Sequence, residues 1–147
     1  MNPVALVKAL RPLQWLKNML VFLPFVFAVN IAWSTYDLDL VPELLIKLVF
    51  VVLGFCALSS AIYVFNDLMD YSRDRLHPVK RKRPIASGKV NSPIAWSIIV
   101  ILATSGLGVM IFVEPLLGVA GGLYAVINIA YSLGLKQVVL LDVFAVT

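Results

Sequence analysis

The 147-residue chain is 61% hydrophobic and only 14% charged. Soluble domains are roughly 45–50% apolar and about 25% charged, so this composition excludes an ordinary soluble domain and predicts an integral membrane protein. The formal net charge of +4 says little by itself, and no nucleic-acid partner is expected.

Apolar segments predict four complete transmembrane helices. A hydrocarbon core of about 30 Å needs roughly 20 apolar residues of helix. The predicted spans cover residues 16–33, 44–65, 94–112 and 116–135. Pro24 is expected to kink the first one, which membrane helices tolerate. A fifth apolar segment begins at Val138, and the chain ends within it at Thr147. We therefore expect an all-α membrane bundle of which this chain is the front part.

The basic residues lie on alternate sides of these spans. Lys8, Arg11 and Lys17 precede the first span, whereas residues 34–43 contain no Lys or Arg. The loop at residues 66–93 is strongly basic, the turn at residues 113–115 is acidic, and Lys136 follows the fourth span. Because basic loops stay in the cytoplasm, we expect a multi-pass protein of the inner (plasma) membrane. Its amino terminus and the 66–93 loop would face the cytoplasm.

Three aspartates begin this loop. If the second span continues as a helix beyond Phe65, Asp67, Asp70 and Asp74 share one face over about two turns. Carboxylates so close together repel one another unless a cation lies among them. Magnesium characteristically binds one or two carboxylates together with substrate phosphates. The spacing therefore favours a metal-bridged pyrophosphate.

A basic run follows, comprising Lys80, Arg81, Lys82 and Arg83. Arginine offers a bidentate fork for phosphate, and lysine offers a compact charge. Two simpler interpretations stay open for the loop: a topology signal attracted to anionic lipid, and a salt-bridged helix end. His77, which precedes Pro78, is interpreted as a loop-shaping or hydrogen-bonding residue rather than a metal ligand.

The order Asn66-Asp67-x-x-Asp70-x-x-x-Asp74 resembles the first aspartate-rich motif of the UbiA superfamily of intramembrane prenyltransferases. Three further segments resemble one branch, the decaprenyl-phosphate phosphoribosyltransferases and their relatives. These segments are residues 10–18, residues 75–88 with the order Arg-x-His-Pro-x-Lys-Arg-x-Arg-Pro-Ile-Ala-Ser-Gly, and residues 131–136.

The resemblance implies a larger helix bundle with a Mg²⁺-dependent site open to the cytoplasm. The family's second acidic motif lies in later helices and has no match here, so this chain alone is expected to be inactive. Asp67, Asp70 and Asp74 would hold Mg²⁺ on the pyrophosphate of phosphoribosyl pyrophosphate, and Asn66 would orient an oxygen. The implied substrate-binding residues are Lys17, Asn18, Arg75, Lys80, Arg81, Arg83, Tyr131 and Lys136.

Three functions remain as hypotheses. The first is transfer of phosphoribose from phosphoribosyl pyrophosphate to a polyprenyl (decaprenyl) phosphate, with release of pyrophosphate. The second reverses the roles, so that a prenyl diphosphate alkylates an aromatic or other acceptor. The third is a non-catalytic membrane protein whose loop binds lipid headgroups or a partner.

Overall fold

The structure, a computed structural model, describes residues 3–29, 31, 33–34 and 38–134, and its regular elements there are all helical. The α-helices are α1 (Pro3–Ala9), α2 (Leu23–Phe27), α3 (Val41–Met69), α4 (Tyr71–Leu76), α5 (Ser92–Val113) and α6 (Pro115–Leu133). Two 3₁₀ helices cover Pro12–Phe22 and Lys80–Lys82. The start of the predicted fifth span and Lys136 lie outside the described residues.

Helices α3, α5 and α6 form an up-down-up bundle. Phe65 packs edge-to-face on Trp96, with ring centroids 6.0 Å apart, and Gly54 lies against Gly106 about three turns away. Because the partner of the later α3 residue comes earlier in α5, these helices are antiparallel. The single residue Glu114 between α5 and α6 makes that pair antiparallel as well. The loop end of the bundle therefore collects the end of α3, the start of α5 and the end of α6.

Three helices are long and apolar enough to cross a membrane, namely α3, α5 and α6. They lie where the second, third and fourth spans are predicted. Asn91 begins α5 with a side chain that accepts a hydrogen bond from Ile94 N, as helix N-caps do. The prediction of an all-α membrane helix bundle is confirmed.

The first predicted span, residues 16–33, differs from the structure in form. The chain is 3₁₀-helical over Pro12–Phe22 and α-helical over Leu23–Phe27, and helix ends there. Proline fits the first turn of an α-helix but not its interior, so Pro24 starts a new helix rather than kinking a long one. Beyond Phe27 the chain turns back, and Trp33 stacks on Phe25 at 5.0 Å and donates a hydrogen bond to its carbonyl oxygen.

A small apolar core holds helix α1 and the loop at residues 66–93 together at the loop end of the bundle. Its buried members come from α1, α3, the 66–93 loop and α5; they are Ala5, Ala9, Val64, Ile85, Val90 and Ala95. This core fixes the two segments that carry Arg11 and Arg83 against the end of α3. The polar site described next is built on that support.

Candidate functional site: a buried carboxylate–arginine cluster at the end of α3

Helical hydrogen bonds continue from the end of α3 into α4. Asp70 N donates to Asn66 O at 2.9 Å, and Asp74 N donates to Asp70 O at 2.8 Å. Asp67 and Asp74 are therefore two turns apart on one face, as the spacing predicts. Each is only 2% exposed, so the two carboxylates face the protein rather than water.

Arg83 joins these two carboxylates. Its Nη1 donates to Asp74 Oδ2 at 2.7 Å and to Asp67 Oδ1 at 3.2 Å. The guanidinium side chain keeps 30% of its surface exposed. An arginine reaching buried carboxylates from the rim compensates their charge while keeping one side open to solvent.

Arg11 is a second arginine at this point. In the sequence it served as a topology signal and as part of the family-like segment at residues 10–18, and it was not predicted as a site residue. Its Nη2 lies 2.5 Å from Asp67 Oδ1, and its guanidinium lies 4.8 Å from the centroid of the Tyr63 ring. Its backbone is left-handed, with φ 52° and ψ 58°. Such a conformation costs a non-glycine residue roughly 1–2 kcal/mol and is often found at functional sites. The sequence signal for an unusual backbone at this position was the Arg11-Pro12 pair, which lies where the chain changes direction between two helices.

A cavity of about 450 Å³ opens beside Asp67. Five cationic side chains line it: Lys8, Arg11, Lys80, Lys82 and Arg83. Asp67 is the one carboxylate among the described residues that line it. The cavity is therefore strongly positive, and an anion with several oxygens suits it.

The donor set at the end of α3 suits a hard cation in its chemistry. Beside Asp67 lies the buried Asn66 Oδ1, which has no hydrogen-bond partner within the part of the chain that the structure describes, and Asp70 is half-buried nearby. All of these donors are oxygens, which Mg²⁺ prefers. Among residues 3–134 as described, however, no three Asp, Glu, His or Cys side chains are grouped as a metal site. A Mg²⁺ ion held by one or two carboxylates and by substrate phosphate oxygens fits this arrangement.

The structure separates the other predicted substrate-binding residues. Lys80 lines the Asp67 cavity, whereas Arg81 and Arg75 line a neighbouring one. Arg75 Nη1 donates to Tyr71 Oη at 3.1 Å. Tyr131 lies in the last turn of α6, at the loop end of the bundle.

Asn18 and Lys17 lie on the first 3₁₀ helix, away from the cluster. Asn18 Nδ2 contacts Cys56 Sγ and Ser59 Oγ, each at 3.4 Å. Ser59 precedes Asp67 by more than two turns of α3, so Asn18 is about 12 Å down the helix. Lys17 is exposed. Their role in substrate binding stays a prediction.

His77 has the loop-shaping role that its sequence context indicates. Its Nδ1 accepts hydrogen bonds from Val79 N at 3.2 Å and Lys80 N at 3.3 Å. These bonds begin the 3₁₀ turn Lys80–Lys82 and so place the basic run. The salt-bridged helix end that the sequence left open is also present, but its carboxylates are buried rather than exposed.

Comparison with known proteins gives a consistent result. Residues 21–147 match the model of the UbiA prenyltransferase family. The chain is 37% identical over 97% of its length to a decaprenyl-phosphate phosphoribosyltransferase of Mycolicibacterium smegmatis, covering 43% of that protein. It is 35% identical over 96% of its length to the enzyme of the same name from Mycobacterium tuberculosis, covering 45% of it.

A third relative has a different name. The chain is 35% identical over 95% of its length to the nodulation protein NoeC of Azorhizobium caulinodans, covering 43% of that protein. The chain thus spans less than half the length of these relatives. Since the family match covers most of the chain, including the Asp67–Arg83–Asp74 cluster, the chain belongs to the UbiA prenyltransferase family.

Proposed function

We propose that the full-length protein transfers phosphoribose from phosphoribosyl pyrophosphate to a polyprenyl phosphate such as decaprenyl phosphate. The observation that carries the proposal is the positive cavity at Asp67, floored by a buried carboxylate–arginine cluster at the mouth of a membrane bundle. The similarity of the chain to proteins named decaprenyl-phosphate phosphoribosyltransferase supports the choice of these substrates.

The cations of the cavity would bind the pyrophosphate. A guanidinium has five N–H donors, so Arg83 can hold Asp67 and Asp74 and still donate to a phosphate. Lys80 adds a compact charge on the same wall. These groups would be positioned before the reaction, and their field stabilises the charge that develops on the leaving pyrophosphate.

The acidic residues would hold Mg²⁺, with one or two of Asp67, Asp70 and Asp74 as carboxylate ligands at a time and Asn66 orienting one oxygen. When bound, the metal ion neutralises pyrophosphate oxygens and makes the group easier to expel. The buried carboxylates also orient Arg83 and Arg11, and these arginines would hold the donor pyrophosphate in one orientation.

The acceptor would arrive from the bilayer. Helices α5 and α6 expose apolar side chains along their length, among them Ile101, Phe112 and Leu123, and a polyprenyl tail can lie on such surfaces. The acceptor phosphate is already ionised at neutral pH, so its attack on the anomeric carbon needs no strong general base. The site would face the cytoplasm, on the side marked by the basic loop.

A transfer assay tests this proposal. The full-length protein in liposomes receives labelled phosphoribosyl pyrophosphate, unlabelled decaprenyl phosphate and Mg²⁺, and label is counted in the lipid fraction. We expect transfer that disappears with EDTA and falls at least about 100-fold in Asp67→Asn and Asp70→Asn. Arg73→Gln, an exposed change on the same loop, is the control and should keep activity. Transfer retained in both aspartate variants would refute the metal assignment.

The family match also supports a second candidate, in which a prenyl diphosphate is the donor and an aromatic acceptor is alkylated. The same assay separates the two. Consumption of a prenyl diphosphate without any phosphoribosyl transfer would establish the second candidate. Inactivity with both donors would favour a protein that binds lipid headgroups or a partner.

A further inference from the structure

A second cationic cavity lies next to the one at Asp67. It measures about 620 Å³. Five cationic side chains line it: Lys8, Arg75, Arg81, Lys82 and Lys89. Lys8 and Lys82 line both cavities, so the two are neighbours with a shared wall. The second one has no carboxylate among the described residues that line it.

The cations of this second cavity come from four separate parts of the fold, of which the 3₁₀ helix Lys80–Lys82 provides Arg81 and Lys82. Lys8 lies in the last turn of α1. Arg75 lies in α4, where its guanidinium is 5.5 Å from the Tyr71 ring centroid and donates to the Tyr71 hydroxyl at 3.1 Å. Lys89 follows Gly88, whose φ of 76° turns the chain. The convergence is therefore a result of folding and not only of the basic run.

Charge balance distinguishes the two cavities. At Asp67, arginines meet buried carboxylates. In the second cavity five like charges share one space, and none of them has an ion pair within the described part of the chain. Such a concentration of positive charge attracts an anion strongly. The described residues that line this cavity include no carboxylate that could hold a metal ion, so the cationic side chains are the groups that would neutralise an anion bound there.

We propose that this second cavity binds a phosphate monoester, the 5-phosphate of the sugar whose pyrophosphate lies in the Asp67 cavity. The inference rests on the proposed function and deepens it. A phosphoribosyl donor has a pyrophosphate and a phosphate at opposite ends of one ribose. This matches two adjoining cationic cavities, of which one has Asp67 and the other has no carboxylate among its described lining residues. A prenyl diphosphate has one polar end, and so it has no second phosphate for the five cations of this cavity. The second cavity thus selects the phosphoribosyl donor.

Two probes separate the cavities experimentally. Ribose 5-phosphate and inorganic pyrophosphate are titrated into the full-length protein in phosphatidylcholine nanodiscs by calorimetry, with Mg²⁺ present. In Arg75→Gln/Lys89→Gln we expect ribose 5-phosphate affinity to fall at least about tenfold, since two phosphate contacts are lost. Pyrophosphate affinity should stay within about twofold, which also shows that the variant is folded. Arg73→Gln should change neither affinity beyond about twofold, because this exposed cation lines neither cavity.

The headgroup of an anionic phospholipid offers the same phosphate chemistry from another source. Nanodiscs with added phosphatidylglycerol distinguish binding of a lipid headgroup from binding of a sugar phosphate. If the double variant loses bound phosphatidylglycerol while its ribose 5-phosphate affinity and its KM for phosphoribosyl pyrophosphate equal those of the wild type, the sugar-phosphate assignment is overturned. The proposed function would survive that result, because phosphoribosyl transfer would still be measured. A raised KM in the double variant, with prenyl diphosphate handling unaffected, is the result we expect.

Discussion

Arg83 compensates the charge of two buried carboxylates at once. For Asp74 it is the one ion-pair partner within the described residues, whereas Asp67 also has Arg11. A buried ion pair adds little net stability, but losing one partner leaves an uncompensated charge away from water. Arg83 is therefore expected to matter for folding as well as for phosphate binding.

Replacing Arg83 with Gln should lower the free energy of unfolding by about 3 kcal/mol, because Asp74 would be left buried and unpaired. Arg73→Gln, which removes one exposed arginine from the same loop, should change it by less than about 0.5 kcal/mol. Chemical unfolding in detergent micelles measures both. Adding Asp74→Asn to Arg83→Gln should recover part of the loss, and equal stabilities of the two single variants would contradict the assignment.

Arg11 has a strained, left-handed backbone and also contacts Asp67. Glycine normally destabilises a position relative to alanine, but it accepts left-handed backbone without steric cost. Arg11→Gly and Arg11→Ala both remove the contact with Asp67, so comparing them isolates the backbone. We expect the Gly variant to be more stable than the Ala variant by about 1 kcal/mol. The same unfolding experiment in detergent micelles measures this difference, and the opposite order would contradict a left-handed backbone at Arg11.

Among the elements, the first helical segment is longer for its number of residues because it is partly a 3₁₀ helix. Eleven residues, Pro12–Phe22, rise about 2.0 Å each, which gives about 22 Å. Helix α2 adds about 8 Å. Their summed lengths are about 30 Å, which is comparable to the thickness of the hydrocarbon core, although the segment is shorter than an ordinary transmembrane helix. Side-chain bonds to α3 accompany this form, for Trp15 Nε1 donates to Ser60 Oγ at 2.9 Å and Ser60 donates to Leu10 O.

The α3–α5 contact depends on close approach of the two helix backbones. A Cβ at Gly106 would lie 2.8 Å from Gly54 O and 3.1 Å from Leu58 N. Both atoms belong to the backbone, so relief requires the helices to separate. Small residues allow such approach in membrane proteins, where packing replaces the hydrophobic effect between helices.

Gly106→Ala should therefore destabilise the bundle by about 1–3 kcal/mol. Gly108 lies two residues along the same helix, and a Cβ added there would meet no neighbouring atom within 4 Å. Gly108→Ala should be neutral or stabilise by about 0.5–1 kcal/mol through helix propensity. Thermal unfolding of the two variants in the same detergent compares them directly, and equal destabilisation would argue against a tight α3–α5 contact.

For the molecule as a whole, the sequence predicts the long helices well because each needs only an apolar run of sufficient length. It also predicts that Asp67 and Asp74 share a face, since helical periodicity continues beyond Phe65. It could not predict the 3₁₀ form of Pro12–Phe22, where Trp15 donates a hydrogen bond to Ser60, 45 residues away in the sequence. The contact between Arg11 and Asp67 was missed for the same reason, because 56 residues separate the partners.

The sidedness of the bundle can be tested with single cysteines. The natural Cys56 is buried, so it should contribute little labelling. Ser87 lies exposed in the basic loop, and Glu114 lies exposed at the opposite end of α5. Because basic loops stay in the cytoplasm, Ser87→Cys should react with a membrane-impermeant maleimide in inside-out vesicles and not in intact cells. Glu114→Cys should show the reverse pattern.

The result also bears on the donor. Phosphoribosyl pyrophosphate is highly charged and does not cross a bilayer unaided, so the cationic cavities must open to the compartment that holds it. Ser87 lines the second cavity, and its labelling therefore reports the side from which that cavity is reached. Labelling of Ser87→Cys from outside intact cells would place both cavities away from the cytoplasm and would exclude a cytoplasmic sugar phosphate as their ligand.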